Sequence, residues 1–146
     1  MFTRLTALTL TAILLANSAS AFDPAHLQKL RDTGACVDCD LRDAELRNAD
    51  LEGTNLAGAN LRGAGLIGGD LRGADLAYAN LTFANLIGAK LTRAVLDGAY
   101  LKGAVLADAD LGAANLRGAK LTGAYMNGAI LCNTIMPDGS VLYSGC

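Results

Sequence analysis

Two thiols stand three positions apart in Cys36-Val37-Asp38-Cys39, the spacing at which a dithiol can exchange with a partner's disulfide. Such exchange needs a thiolate, and redox pairs obtain one by placing the first cysteine at a helix N-terminus within a βαβ unit. Here the pair instead follows the segment "FDPAHLQKLRDTG", which reads as a helix with Asp23 as N-cap, Pro24 in the first turn and Gly34 past its end. The expected role is a structural bridge, and thiol-disulfide redox chemistry through Cys36 and Cys39 is the alternative. Zinc is disfavoured, because a second ligand pair would have to come from Cys132 and Cys146 at the other end of the chain. His26 is the only histidine, and a catalytic base or metal ligand needs partners that it lacks. "GLIGGD" lacks the Lys-Ser/Thr that completes a phosphate loop. Asn80-Leu81-Thr82 is a glycosylation sequon, relevant only in a host that modifies exported chains. These residues predict no enzyme, no cofactor and no metal centre.

The elements that position them begin with a leader. "MFTRLTALTLTAILLANSASA" has Arg4 in a short n-region, an apolar run from Leu5 to Ala16, and Ala19-Ser20-Ala21 as a small-x-small cleavage site. The run is too short to span a bilayer, which takes about 20 residues. Residues 1–21 are therefore expected to be a signal peptide, and the mature product to be exported without a membrane anchor. Losing Arg4 leaves eleven basic against fourteen acidic residues, a balance too mild to imply a nucleic-acid partner.

Most of the remaining chain is one repeat. Leucine recurs every fifth residue from Leu41 to Leu121, and Met126 and Leu131 continue the series to nineteen centres. Two residues before the centre lies Ala, except at Cys39, Thr54 and Gly69; two residues after it Gly appears eleven times. On an α-helix a period of five scatters the leucines around every side, and on a flat strand it alternates them between faces. An apolar column of this period requires the chain to bend in every repeat, turning it into a coil with Leu and Ala inside. Gly at the trailing position suits a corner with positive φ. The eight other residues found there, among them Asp43, Tyr78, Phe83 and Arg93, suggest that positive φ is not compulsory. Asp or Asn before many leucines can bond nearby backbone.

"ADLEG", "ANLRG", "ADLAY" and "ANLTF" resemble the pentapeptide-repeat family, whose consensus is Ala-(Asp/Asn)-Leu-x-x. "TGACVDCDL" (33 to 41) and "CNTIMPDGS" (132 to 140) are similar to the two ends of an exported subgroup with cyanobacterial and chloroplast-lumen members. The resemblance implies an all-β solenoid: a right-handed quadrilateral β-helix, four repeats to a coil, with a short N-terminal capping helix and a C-terminal cap. Expected boundaries are 22–38 for the cap helix and Cys-x-x-Cys lead-in, 39–133 for the repeats and 134–146 for the second cap. Ile135, Met136, Val141 and Leu142 supply apolar material for that lid.

On such a stack, at roughly 4.8 Å per coil, Cys132 stands about 20 Å from Cys39, beyond the ~7 Å reach of a disulfide. Full oxidation within one chain then means Cys36–Cys39 and Cys132–Cys146. Twenty-residue coils also align surface columns. Arg42, Arg62 and Lys102 share one with Thr82, and Asp50, Asp70 and Asp110 share another with Lys90. Ile67 lies under Ile87, with Phe83 at a neighbouring corner and Val105 a coil further on, a group that marks a candidate interaction surface. The expected function is a non-enzymatic structural or protein-interaction module with an unknown protein partner, monomeric or weakly dimeric. It is expected in the periplasm or outside the cell, or in the thylakoid lumen of a photosynthetic host. Some family members mimic DNA and bind gyrase; the mild charge, basic columns, apparently closed ends and leader disfavour that alternative here.

Overall fold

A computed structural model describes residues 21–146, so all but the last residue of the expected leader lies outside the described residues. Parallel backbone bridges join each residue before a leucine to the residue twenty positions later, from Ala35 and Asn55 through to Asn115 and Ile135. Four five-residue repeats therefore complete one coil. Each leucine N–H from Leu41 to Leu116 donates to the next coil, as Leu41 does to the carbonyl of Asn60 at 2.8 Å. The residue before the leucine below donates back, as Asn60 does to the Cys39 carbonyl at 2.8 Å. Between ladders the chain turns: the Ala44 N–H closes on the Leu41 carbonyl, and the same bond recurs from Ala49 onward.

That turn decides the trailing position. All nineteen residues two places after a centre have positive φ, the eight non-glycines included: Asp43, Asn48, Tyr78, Phe83, Arg93, Asp108, Ala113 and Asn133 lie between 54° and 60°. Positive φ is thus compulsory at the corner, contrary to the reading from residue types. The third residue of a type II turn must be left-handed whatever its side chain, and ladders above and below hold it there. The residue before each leucine supports the corner. The carboxylate or amide oxygens of Asp50, Asn55, Asp75 and Asn80 accept the backbone N–H two residues on, at 3.0–3.2 Å.

Leucines 41 to 116 and nearly all the alanines beside them are fully buried, making a narrow column of alternating large and small side chains. Thr54 replaces one inner alanine and stays satisfied by donating its hydroxyl to the Leu51 carbonyl at 2.7 Å. The column is longer than the repeat boundaries 39–133 suggest. Cys36 occupies a leucine position in the first coil and is buried, and Met136 occupies one at the other end.

The two ends differ. Helix α1, Pro24–Thr33, closes the first coil with Leu27 and Leu30, which are buried beside Phe22. Asp23 caps it by accepting from the Ala25 N–H at 2.9 Å, and Gly34 ends it with φ 65°. Strands β1, Leu131–Ile135, and β2, Val141–Ser144, form an antiparallel hairpin at the opposite end. This hairpin is a lid for one side only. Ile135 and Met136 are half-buried parts of the coil itself, while Val141 and Leu142 remain exposed. The N–H groups of Leu121, Gly123, Met126 and Gly128 make no hydrogen bond to another described residue. A closed C-terminal end, expected from composition, is therefore corrected to an end with two uncovered edges.

Two substitutions separate core from corner. Leu96→Ala should cost about 2–5 kcal/mol of unfolding stability, since it empties a fully buried site between two coils. Ala113→Gly should be neutral or stabilising by up to ~1 kcal/mol, because relief of a left-handed alanine outweighs the added freedom of the unfolded chain. Urea denaturation of both variants checks the contrast.

Candidate interaction surface

The cysteines pair within each end. The sulfurs of Cys36 and Cys39 lie 2.06 Å apart, and those of Cys132 and Cys146 2.05 Å apart. Cys36 sits inside the first coil with its sulfur 3.0 Å from the His26 carbonyl oxygen of α1, and Cys39 takes an inner alanine position; both are buried. Cys146 lies at the exposed chain end and ties the hairpin back to the last coil. His26 is a packing residue in this arrangement. Its Nδ1 accepts the Asp40 N–H at 2.9 Å, which joins α1 to the first coil together with the Asp23 N–H donated to the Asp40 carbonyl. Among the described residues no group of His, Cys, Asp or Glu is placed to hold a metal ion, and no helix is long and apolar enough to cross a membrane.

The surface is divided into columns by the twenty-residue coil. On one face Asp50, Asp70, Lys90 and Asp110 succeed one another, with Glu52, Arg72 and Arg93 at the adjoining corner. Arg72 holds Asp70 at 2.6 Å and Glu52 at 3.2 Å, and Lys90 reaches Asp70 at 3.8 Å. The Arg72 guanidinium, bonded directly to its carboxylate, holds Asp70 below the ordinary Asp range. Arg42 does the same to Asp40. A shallow depression of about 410 Å³ lies between Glu52, Arg72, Thr92 and Arg93. Within it Glu52 and Arg72 are already paired.

The apolar candidates occupy the side reached through the next two corners. Ile67 and Ile87 follow one another at a single corner, where the Gly68 N–H donates to the Ile87 carbonyl at 2.9 Å. Val105 lies on the face beside that corner, directly below Asn85. Phe83 stands at the face's other corner. Phe83 is 55% exposed and Ile87 37%, while Ile67 and Val105 are half-buried. The Arg62 guanidinium covers the Phe83 ring at 5.8 Å from its centroid. Sequence columns missed two further aromatics, Tyr78 and Tyr100, which border a shallow groove of about 520 Å³ with Arg117 and Lys120. They are twenty-two residues apart, so no column holds both; only corner-to-face adjacency in the coil brings them together.

The charged face generates a pH prediction. A carboxylate whose pKa is depressed by folding stabilises the fold above its unfolded pKa, near 3.9, and loses that contribution as pH falls through the folded value. Asp70→Asn should therefore flatten the fall in stability between about pH 5 and pH 2. The change is small, since the pair lies at the surface and water screens it. Thermal unfolding across that range measures it.

The coil geometry has close counterparts. A family model for pentapeptide repeats matches residues 39–77, 79–118 and 99–136. A pentapeptide repeat protein from the cyanobacterium Cyanothece 51142 is similar at 30% identity and a TM-score of 0.52, over 72% of this chain and 92% of that one. A pentapeptide repeat protein of the Arabidopsis thaliana thylakoid lumen shares the fold at 23% identity and a TM-score of 0.53, over 84% of this chain and 77% of that one. A comparison with proteins of curated function finds no match. The family match spans well over half of the residues, and the chain belongs to the pentapeptide-repeat family.

Proposed function

We propose that this chain is an exported, non-enzymatic rod that binds another protein through the side bearing Ile67, Phe83, Ile87 and Val105. Family membership implies the handedness and section of the rod, a right-handed quadrilateral β-helix. The observation that carries the reading is the contrast between faces. One face pairs Arg72 with Asp70 and Glu52, whereas the neighbouring side turns Ile87 to solvent and leaves Phe83 55% exposed under the Arg62 guanidinium. Export is supported by the leader-like first 21 residues and by two cysteine pairs at bonding distance, which persist in oxidising compartments. The compartment we assign is the periplasm or the cell exterior, or the thylakoid lumen in a photosynthetic host.

The redox alternative draws no support from the burial of Cys36 and Cys39, because an exchanging thiol must be within a partner's reach. Gyrase-binding DNA mimicry draws none from a surface of mixed sign, where Arg42, Arg62, Lys102 and Arg117 interrupt the carboxylates.

Two experiments test the reading. Photo-crosslinking from a probe beside Ile87 in the native compartment should capture one protein with the wild type and lose it with Ile67→Glu/Ile87→Glu at an unchanged melting temperature. Capture of the same set by both proteins contradicts the assigned face. Alkylation after graded reduction should label Cys132 and Cys146 well before Cys36 and Cys39, because only the second pair has a buried position inside the coil. Early, reversible labelling of Cys36 would instead favour redox chemistry.

A further inference from the structure

The face between Phe83 and Tyr78 carries a feature that the apolar group does not include. Three aromatic side chains cross it at the level of one coil. Tyr78 hangs from one corner over Gly98, where an added Cβ would lie 2.6 Å from the tyrosine Cε1. Phe83 hangs from the other corner over Gly103, where an added Cβ would lie 2.6 Å from the ring. Tyr100 stands on the flat face between those two glycines. Only residues without a side chain leave room beneath the rings, so "GAYLKG" (98 to 103) seats all three. Tyr78 and Tyr100 are 69% and 50% exposed.

Basic residues rim this belt. Arg62 lies against Phe83, Lys102 follows Tyr100 at the corner, and Arg117 and Lys120 stand one coil below. None of these four makes an ion pair with a described residue, unlike Arg42, Arg72 and Lys90. From Ala57 to the C-terminal end, the acids on this side are Asp97, which accepts from the Asn115 amide at 2.9 Å, and Asp138 in the turn below Arg117, which accepts from Ser140. The groove of about 520 Å³ between Tyr78, Tyr100, Arg117 and Lys120, floored by Gly98 and Gly118, is open and aromatic, and its two cations outnumber the one carboxylate in its lining, Asp97.

We propose that this face binds an anionic glycan, a polymer of uronic acids, with sugar rings laid on Tyr78 and Tyr100 and carboxylates met by Lys102, Arg117 and Lys120. Pyranose C–H faces pack on exposed aromatic faces, and a carboxylate on each sugar matches cations one coil, about 4.8 Å, from the belt. An acidic peptide would use the cations and leave the rings idle. A single-stranded nucleic acid would use both, but the cysteine pairing favours an oxidising, extracytoplasmic setting, away from the cell's own nucleic acids. The two readings share Phe83, at the corner between their faces, but their tests are separate, because Ile67→Glu/Ile87→Glu leaves Tyr100, Lys102 and Lys120 in place.

The test is an amide-shift titration of the 22–146 chain with oligogalacturonate, beside neutral oligogalactose, poly-glutamate and oligodeoxythymidylate. Oligogalacturonate should move resonances of residues 78–83, 98–103 and 117–123. Tyr100→Ala and Lys102→Gln/Lys120→Gln should each weaken it by about tenfold or more. Both changes are on exposed side chains, and equal melting temperatures establish that the coil is intact. No shifts, equal binding of the neutral oligomer or of poly-glutamate, tighter binding of the oligonucleotide, or indifference to Tyr100→Ala would each overturn the proposal.

Discussion

The whole structure depends on one left-handed residue in every five. Positive φ at the trailing position turns the chain through a corner, and the ladder above and below fixes the turn where the residue type would not favour it. A single alanine or phenylalanine in that conformation costs roughly 1–2 kcal/mol. The stack tolerates the cost because each corner lies between leucine N–H groups that already donate to the next coil. Local preference yields to the repeat.

That constraint organises the surface as well as the core. With twenty residues per coil, the position before each leucine stacks into one column and the trailing residue into another, so side chains far apart in sequence become neighbours. The same rule produces the paired charges around Asp70, the apolar corner at Ile67 and Ile87, and the aromatic belt over Gly98 and Gly103. Each side of the rod can thus evolve separately while the interior stays unchanged. Function resides on the sides and ends, and the leucine column supplies only the shape.

Much of the fold was legible in the sequence, since leucine at every fifth residue admits no straight helix or strand. The helix from Pro24 to Thr33 and its caps were equally plain in Asp23, Pro24 and Gly34. Other features were hidden for physical reasons. Tyr78, Phe83 and Arg93 are poor left-handed formers, so residue type argued against a conformation that the ladders impose. Cys36 fills a leucine position, which concealed the true start of the first coil. The apolar residues near the C-terminus read as a complete lid, yet hairpin register spends Ile135 in the coil and leaves Val141 outside. In the candidate surface, column counting found Ile67 with Ile87 and could not find Tyr78 with Tyr100, which line one groove from corner and face.

Amide hydrogen exchange tests the central claim, a stack sewn by leucine N–H groups and left open at one end. The account predicts the slowest exchange at the leucine amides from Leu41 to Leu116. It predicts exchange orders of magnitude faster at Leu121, Gly123, Met126 and Gly128, whose N–H groups have no partner among the described residues. Uniform protection to Leu131, or exchange that ignores the five-residue period, would contradict it.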